Sequence, residues 1–426
     1  MQLTLARHPI AELRFGASTY LDKTTLVIDR EELGRLLLAD GSLQEVRFEI
    51  VHPGESCRAG PVFDIVEPRA KEPGCSPDFP GVLGPPLTAG SGTTRVLAGA
   101  AVTVLSEKST DESRGVTGRV LEMSGAPAEA SPYSSLRHLV VVPRTRPGLA
   151  KHAIEKAYRL AGLRCAVHLA RAALGQPPES THPFEPVGPA RKGREGIPRV
   201  AYVGQIFSRQ RKPAVDEPVL YGLNTDGMLP VVLDPDEWLD GAILPSYHSS
   251  IGGAETYFYQ NHPVILELYR RHHAGDLSFV GTVATVAGSD NFDRDRNCRA
   301  AANLVRWVLS AEAAVLTKYG GGVPHADLAE TARLLEGYGI RTAVMVTDSS
   351  RDRRVESALL FNFPEVNAIV YNGGNGTRWT LPRAERIVTP SAEMAELLGG
   401  PIELGAANII GVTNQQGASR LRGVVY

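Results

Sequence analysis

The spacing of apolar residues changes near residue 199. Before that point the chain shows short apolar runs or alternations at 3–10, 24–29, 43–53, 94–105 and 136–143, bounded by Gly, Pro and Asp. Alternation places one face of a strand in a core, so this half reads as β-rich. The intervening Gly/Pro-rich stretch, 53–95, has too much proline for a regular sheet interior and is too apolar for a free linker. It reads as long ordered loops on a β scaffold, suited to a subunit interface. Residues 149–174 repeat apolar positions at helical spacing, with Gly162 as a weak point, and 175–198 has linker composition. After residue 199, apolar strands (199–207, 278–287, 312–318, 340–347, 366–371) alternate with amphipathic helices (263–273, 296–310, 325–338). That alternation predicts a parallel sheet with right-handed crossovers. The expected fold is therefore α/β, in three regions. These are a β-rich domain (1–148), a helix and linker (149–198), and a doubly wound parallel-sheet region (199–426) containing the candidate loop 240–263.

Charge and cysteine usage narrow the function classes. The chain has 45 basic and 47 acidic residues, a net charge of −2, which argues against a general nucleic-acid binder. Cys57, Cys75, Cys165 and Cys298 lie far apart, with no CxxC and no His/Cys zinc spacing, so reduced thiols and no metal site are expected. No apolar run reaches membrane-spanning length and the first residues lack a signal-peptide core. The expectation is a cytoplasmic protein, oligomeric, with no membrane and no nucleic-acid partner.

Residues 240–263, DGAILPSYHSSIGGAETYFYQNHP, carry the most chemistry. The plainest reading is a polar, glycine-containing loop joining two domains. A sharper one uses Ser249 or Ser250, beside His248. A serine hydroxyl can attack the preceding carbonyl when a base is near, and chain cleavage can then leave a pyruvoyl group. His248 is the candidate acid/base. Tyr257, Gln260, Asn261 and His262 could line the same pocket, although Asn261 precedes a helix and could simply cap it. Ligands of open α/β sheets bind at the carboxyl ends of strands. The loops there offer Asp348 for an ammonium and Asn372, Gly373, Gly374 and Asn375 for a carboxylate, with turn formation as the competing explanation. Neither glycine cluster is a nucleotide-binding pattern.

Several segments together resemble one family. They include FGASTYLDKTTLVIDREEL near the start, PGESCRAGPVFDIVEPR at 53–69, FPGVLG at 79–84, GSGTTRVLAGAAV at 90–102 and MSGAPAEASPYS at 123–134. Further on come YVGQI at 202–206, DGAI at 240–243, TYFYQNHPVILELYRRH at 256–272, GGGVPHADL at 320–328, NGGNGTRWTLP at 372–382 and the closing IIGVTNQQGASRLRGVVY. The chain resembles, over nearly its whole length, the component B subunits of glycine, sarcosine and betaine reductases, with a D-proline reductase proprotein as a relative. The resemblance implies reductive C–N cleavage of a small amine or ammonium substrate by a thiol- or selenol-bearing partner subunit. In that family a cysteine following DGAI becomes the pyruvoyl cofactor after cleavage between Asn and Cys. Here the place reads LPSYHSSIGGAE, with no cysteine between Cys165 and Cys298. Asn297-Cys298 has the right dipeptide but opens an expected helix. Three readings follow: Ser249 or Ser250 yields the pyruvoyl group; the chain stays whole and needs no carbonyl cofactor; or it is a noncatalytic assembly or biosynthetic paralogue.

Overall fold

A computed structural model describes residues 2–107, 118–189, 196–206, 217–247, 254–288, 290–348, 363–366, 368–374, 376–421 and 424–425. His248, Ser249, Ser250 and Asn375 lie outside the described residues.

The protein is mixed α/β. The amino-terminal half builds two four-stranded sheets. One orders Ser180–Pro183, Leu3–Pro9, Gly92–Ala98 and Arg69–Lys71; the other orders Leu43–Val51, Arg137–Thr145, Ala100–Leu105 and Val62–Val66. The 53–95 stretch is thus not all loop. Its prolines fall between strands, and Val62–Val66 is buried throughout and pairs antiparallel with 100–105. Proline excludes a strand only where it removes a ladder donor.

Helix α1 (Lys151–Arg171) packs on these strands. At Gly162 the approach is close: a Cβ there would meet Val104 Cγ2 at 2.8 Å. The glycine is a packing requirement rather than a weak point. Gly162→Ala should gain about 1 kcal/mol of helix propensity but lose about 2 kcal/mol to overpacking against a stiff valine. A net destabilisation of about 1 kcal/mol in urea titration is expected from that balance.

The carboxyl-terminal half contains a seven-stranded sheet. Its strands are β1 (Arg199–Gln205), β2 (Val231–Leu233), β3 (Ser278–Thr285), β4 (Ala313–Thr317), β5 (Arg341–Asp348), β6 (Ala368–Gly374) and β7 (Val424–Val425). The spatial order is β2-β3-β1-β4-β5-β6-β7, with β3 through β6 and β1 parallel and the two edge strands antiparallel. Helices α2 (Thr256–Gln260) and α3 (Pro263–Ala274) precede β3, α4 (Asn291–Asn303) follows it, and α5 (Val323–Gly337) joins β4 to β5. Residues of α3 pack into the core on one face of the sheet, and α4 and α5 into the core on the other. Helix α4 starts earlier than its apolar spacing predicts because Asp290 caps it, accepting from Asp293 N at 2.9 Å.

Later segments fold back onto the first half. Arg386–Val388 pairs with Cys57–Ala59, and fully buried Arg58 donates to Glu122 and to the carbonyls of Pro382 and Leu398. Among the described residues no helix is long and apolar enough to cross a membrane.

Candidate functional site

Chain order and spatial order disagree at one place in the parallel sheet. From β1 the chain moves outward to β3, then returns past β1 to β4. In open α/β sheets such a reversal of strand order is where ligands bind, outside the carboxyl ends of the two strands. The residues at this switch point are Gln205 on one side and Thr317, Lys318 and Tyr319 on the other.

The exit of the 240–263 loop is pressed against this point. Tyr259 of α2 stacks on Tyr319 with centroids 6.0 Å apart and planes 9° apart. His262 caps α3: its Nδ1 accepts from Ile265 N, so the ring proton sits on Nε2, 2.9 Å from Tyr202 Oη. The Tyr202 hydroxyl lies 2.6 Å from Thr317 Oγ1 and 3.1 Å from Gln416 Oε1, and Gln416 Nε2 donates to the Lys318 carbonyl at 2.9 Å. Burial pushes His262 down to about 3, so the ring is neutral and structural at ordinary pH.

Both ends of the loop are anchored in the interior. Ser246, Ala254, Glu255 and Thr256 are fully buried. Arg159 of α1 reaches across: it donates to Asp64 Oδ2 at 2.6 Å, to Thr256 Oγ1 at 2.7 Å, and to the Ser246 carbonyl at 3.4 Å. Asp64 accepts in turn from Thr256 N and Oγ1 at 2.9 and 2.7 Å. Burial raises the Asp64 carboxyl, opposed by the Arg159 charge. Glu217 holds Tyr247 N at 2.7 Å on the entry side, and Arg119 and Tyr133 hold Glu255 on the exit side.

The remaining sequence candidates separate into two groups. Gln260 and Asn261 are spent on the amino-terminal half: Gln260 accepts from Glu67 N at 2.9 Å and donates back to Glu67 O, while Asn261 bridges Glu67 and Arg69. Tyr257 stands edge-on to Tyr133 at 5.3 Å. Asp240 of DGAI ties down Lys71 Nζ, Gly90 N and Thr94 Oγ1 at 2.7–2.9 Å, beside a cavity of about 20 Å³, room for one water. The second group lies at the ends of β5 and β6, where Thr347 pairs with Asn372 and Asp348 with Gly374, Gly373 lying between. Asn372 is buried, and its Nδ2 has no partner among the described residues. From β4 to β6 is two strand spacings, about 10 Å. Asn372 thus lies two strands from β4, while Gln260 and Asn261 join a network with Glu67 and Arg69.

Three of the four cysteines, Cys57, Cys165 and Cys298, are buried. Asn297 and Cys298 are both buried inside α4, and Cys298 Sγ faces the Asp327 carbonyl at 3.5 Å. Burial pushes Cys298 and Cys57 up to about 12 and raises Cys165 too. Asn297-Cys298, buried inside a helix, does not fit a processing site for a cysteine-derived pyruvoyl group.

Sequence reasoning missed Arg159, Asp64, Tyr202, Gln416 and Lys318. Lys318 had a readable signal: a lysine directly after an apolar strand and before three glycines. Its amine is buried and donates to the Gly320 carbonyl. Burial lowers it to about 8.

The family described as glycine/sarcosine/betaine reductase component B subunits matches residues 1–417. The glycine reductase complex component B subunits alpha and beta of Peptoclostridium acidaminophilum is 28% identical over 436 residues, covering 100% of both chains. From the same organism, the sarcosine reductase complex component B subunit alpha is 29% identical, covering 94% of this chain and 92% of its own. The betaine reductase complex component B subunit alpha is 28% identical, covering 90% and 86%. No solved structure matches significantly. A match spanning nearly every residue places the chain in the family of glycine/sarcosine/betaine reductase component B subunits.

Proposed function

We propose that this chain is the substrate-presenting subunit of a reductase complex, holding a small ammonium derivative of an amino acid where the parallel strands end. A thiolate or selenolate of a partner subunit attacks the carbon bearing nitrogen. An S–C or Se–C bond forms, the C–N bond breaks, and the amine leaves with the bonding electron pair. The chain has no CxxC, so the partner must supply the nucleophile and its later reduction.

The observation that carries this reading is full-length family membership combined with the missing cysteine. A pyruvoyl carbonyl activates a primary or secondary amine by forming an imine. A quaternary ammonium cannot form one, and it departs as a neutral amine without that help. Loss of the cysteine therefore fits a betaine-like substrate and an uncut, cytoplasmic chain. Asp348 and the amides from Asn372 to Asn375 remain proposed as lining for this substrate, and His248 as acid/base.

Mass spectrometry of the purified protein should give one species of 45.8 kDa. Calorimetry should show betaine bound more tightly than glycine, sarcosine or proline. Two fragments with a borohydride-reducible carbonyl would replace this reading with a pyruvoyl group from Ser249 or Ser250. An intact chain that binds none of the four, with or without its partner, would leave an assembly role.

A further inference from the structure

Six Lys and Arg side chains are buried among the described residues: Arg58, Arg69, Lys71, Arg119, Arg159 and Lys318. Five have a buried carboxylate: Glu122, Glu67, Asp240, Glu255 and Asp64 respectively. Lys318 has a carbonyl, that of Gly320. An ammonium carries three donors, so two are unmet and the charge has no counter-ion among the described residues. Burying such a group costs folding free energy, and an apolar chain of equal length would serve packing better. The neighbouring position is also incomplete. Gly204 pairs with Thr317 across β1 and β4, so Gln205 stands one rung on, beside Lys318. Gln205 is 5% exposed; its Nε2 donates to the Pro324 carbonyl at 3.0 Å, and its Oε1 has no partner among the described residues. Both groups sit at the switch point, and Tyr319 ties this place to the loop exit through Tyr259.

We propose that Lys318 is the counter-ion for the carboxylate of a small ligand bound between the carboxyl ends of β1 and β4, with the Gln205 amide oxygen beside it facing the ligand's positive end. The identity of the ligand as an amino-acid-like ammonium compound rests on the function proposed above; the anion site rests on a buried lysine with no carboxylate partner among the described residues. A carboxylate restores the pairing that the other five cations have. It would also oppose the desolvation that lowers the Lys318 amine to about 8, favouring its charged form.

The experiment compares wild type, Lys318→Met and Lys318→Gln, using acetate, betaine and tetramethylammonium in calorimetry and thermal unfolding. Without ligand, Lys318→Met should unfold about 2–4 °C higher, because it removes an uncompensated buried charge. Its affinity for acetate and for betaine should fall about 10- to 100-fold, the worth of a hydrogen bond to a charged group. Tetramethylammonium, with no carboxylate, should bind all three proteins alike. A lysine held for packing would give the reverse: a lower melting temperature and unchanged affinity. Failure of wild type to bind acetate and betaine, failure of both variants to fold, or equal betaine binding by all three proteins would each overturn the anion site. In the last case the proposed function would survive. Acetate bound through Lys318 with no affinity for betaine would keep the anion site and remove the proposed ligand class.

Discussion

Arg159→Met is expected to destabilise the protein by about 3–5 kcal/mol, the usual cost of removing one partner from a buried ion pair. Arg159 and Asp64 are each 1% exposed, so neither charge has water to fall back on. Methionine fills much of the volume, which leaves the electrostatic loss as the main term. Asp64 would then hold a carboxylate with hydrogen bonds from Ile65 N and Thr256 but with no cation. Protonation relieves that, so the deficit should shrink as pH is lowered. A second substitution, Asp64→Asn, should recover a substantial part at neutral pH by removing the orphaned charge while keeping an acceptor for Thr256 N. The measurement is the guanidinium midpoint of each variant at constant slope. A cost below about 1 kcal/mol for Arg159→Met would mean the pair is solvated and worth no more than a surface bridge. The functional consequence follows from geometry. Arg159 touches both Ser246 and Thr256 within the 240–263 segment, so its loss removes one shared anchor and leaves Glu217 and Glu255 to hold the two sides.

The larger architecture was legible because it depends on local periodicity. Strands at 278–285 and 313–317 and the helix at 263–274 lie within a few residues of where apolar spacing puts them. The site was only partly legible because its members come from distant positions. Gln260 and Asn261 read as pocket residues since they are polar and follow an aromatic run, and Gln260 does line the small cavity beside Asp240. Their actual partners are Glu67 and Arg69, more than 190 residues earlier, and no spacing rule reaches that far. Gln416 meets Tyr202 across 214 residues. Lys318 was within reach of sequence reasoning, because the rule that ligands gather at strand ends points to it. Asp290, just beyond the end of a parallel strand, is used as a helix cap.

His262 should govern part of the acid sensitivity of the fold. Its ring is completely buried, accepts from Ile265 N and donates to Tyr202, so a second proton would have no acceptor and no water. In the unfolded chain it titrates near 6.5, and in the fold at about 3. The unfolded state therefore binds more protons between these values, and the contribution present above 6.5 is lost as pH falls toward 3. By pH 4 the loss amounts to about 3 kcal/mol, at 1.36 kcal/mol per unit. His138, held at about 4 by burial, acts in the same direction. Asp236 and Glu237, raised to about 7, and Asp327, raised to about 6, act in the opposite one, since they take up protons on folding and gain stability as pH falls. The total curve is thus a partial cancellation, and the histidine must be isolated by difference. His262→Asn keeps a helix-capping acceptor without a titrating ring. From pH 7 to pH 4, wild type should lose about 3 kcal/mol more than this variant in denaturant titrations. Parallel curves would show that the ring is hydrated in solution. A ring that stays neutral down to pH 4 has no proton to exchange at neutral pH. Any acid limb in substrate cleavage near pH 6 must then come from a group other than His262.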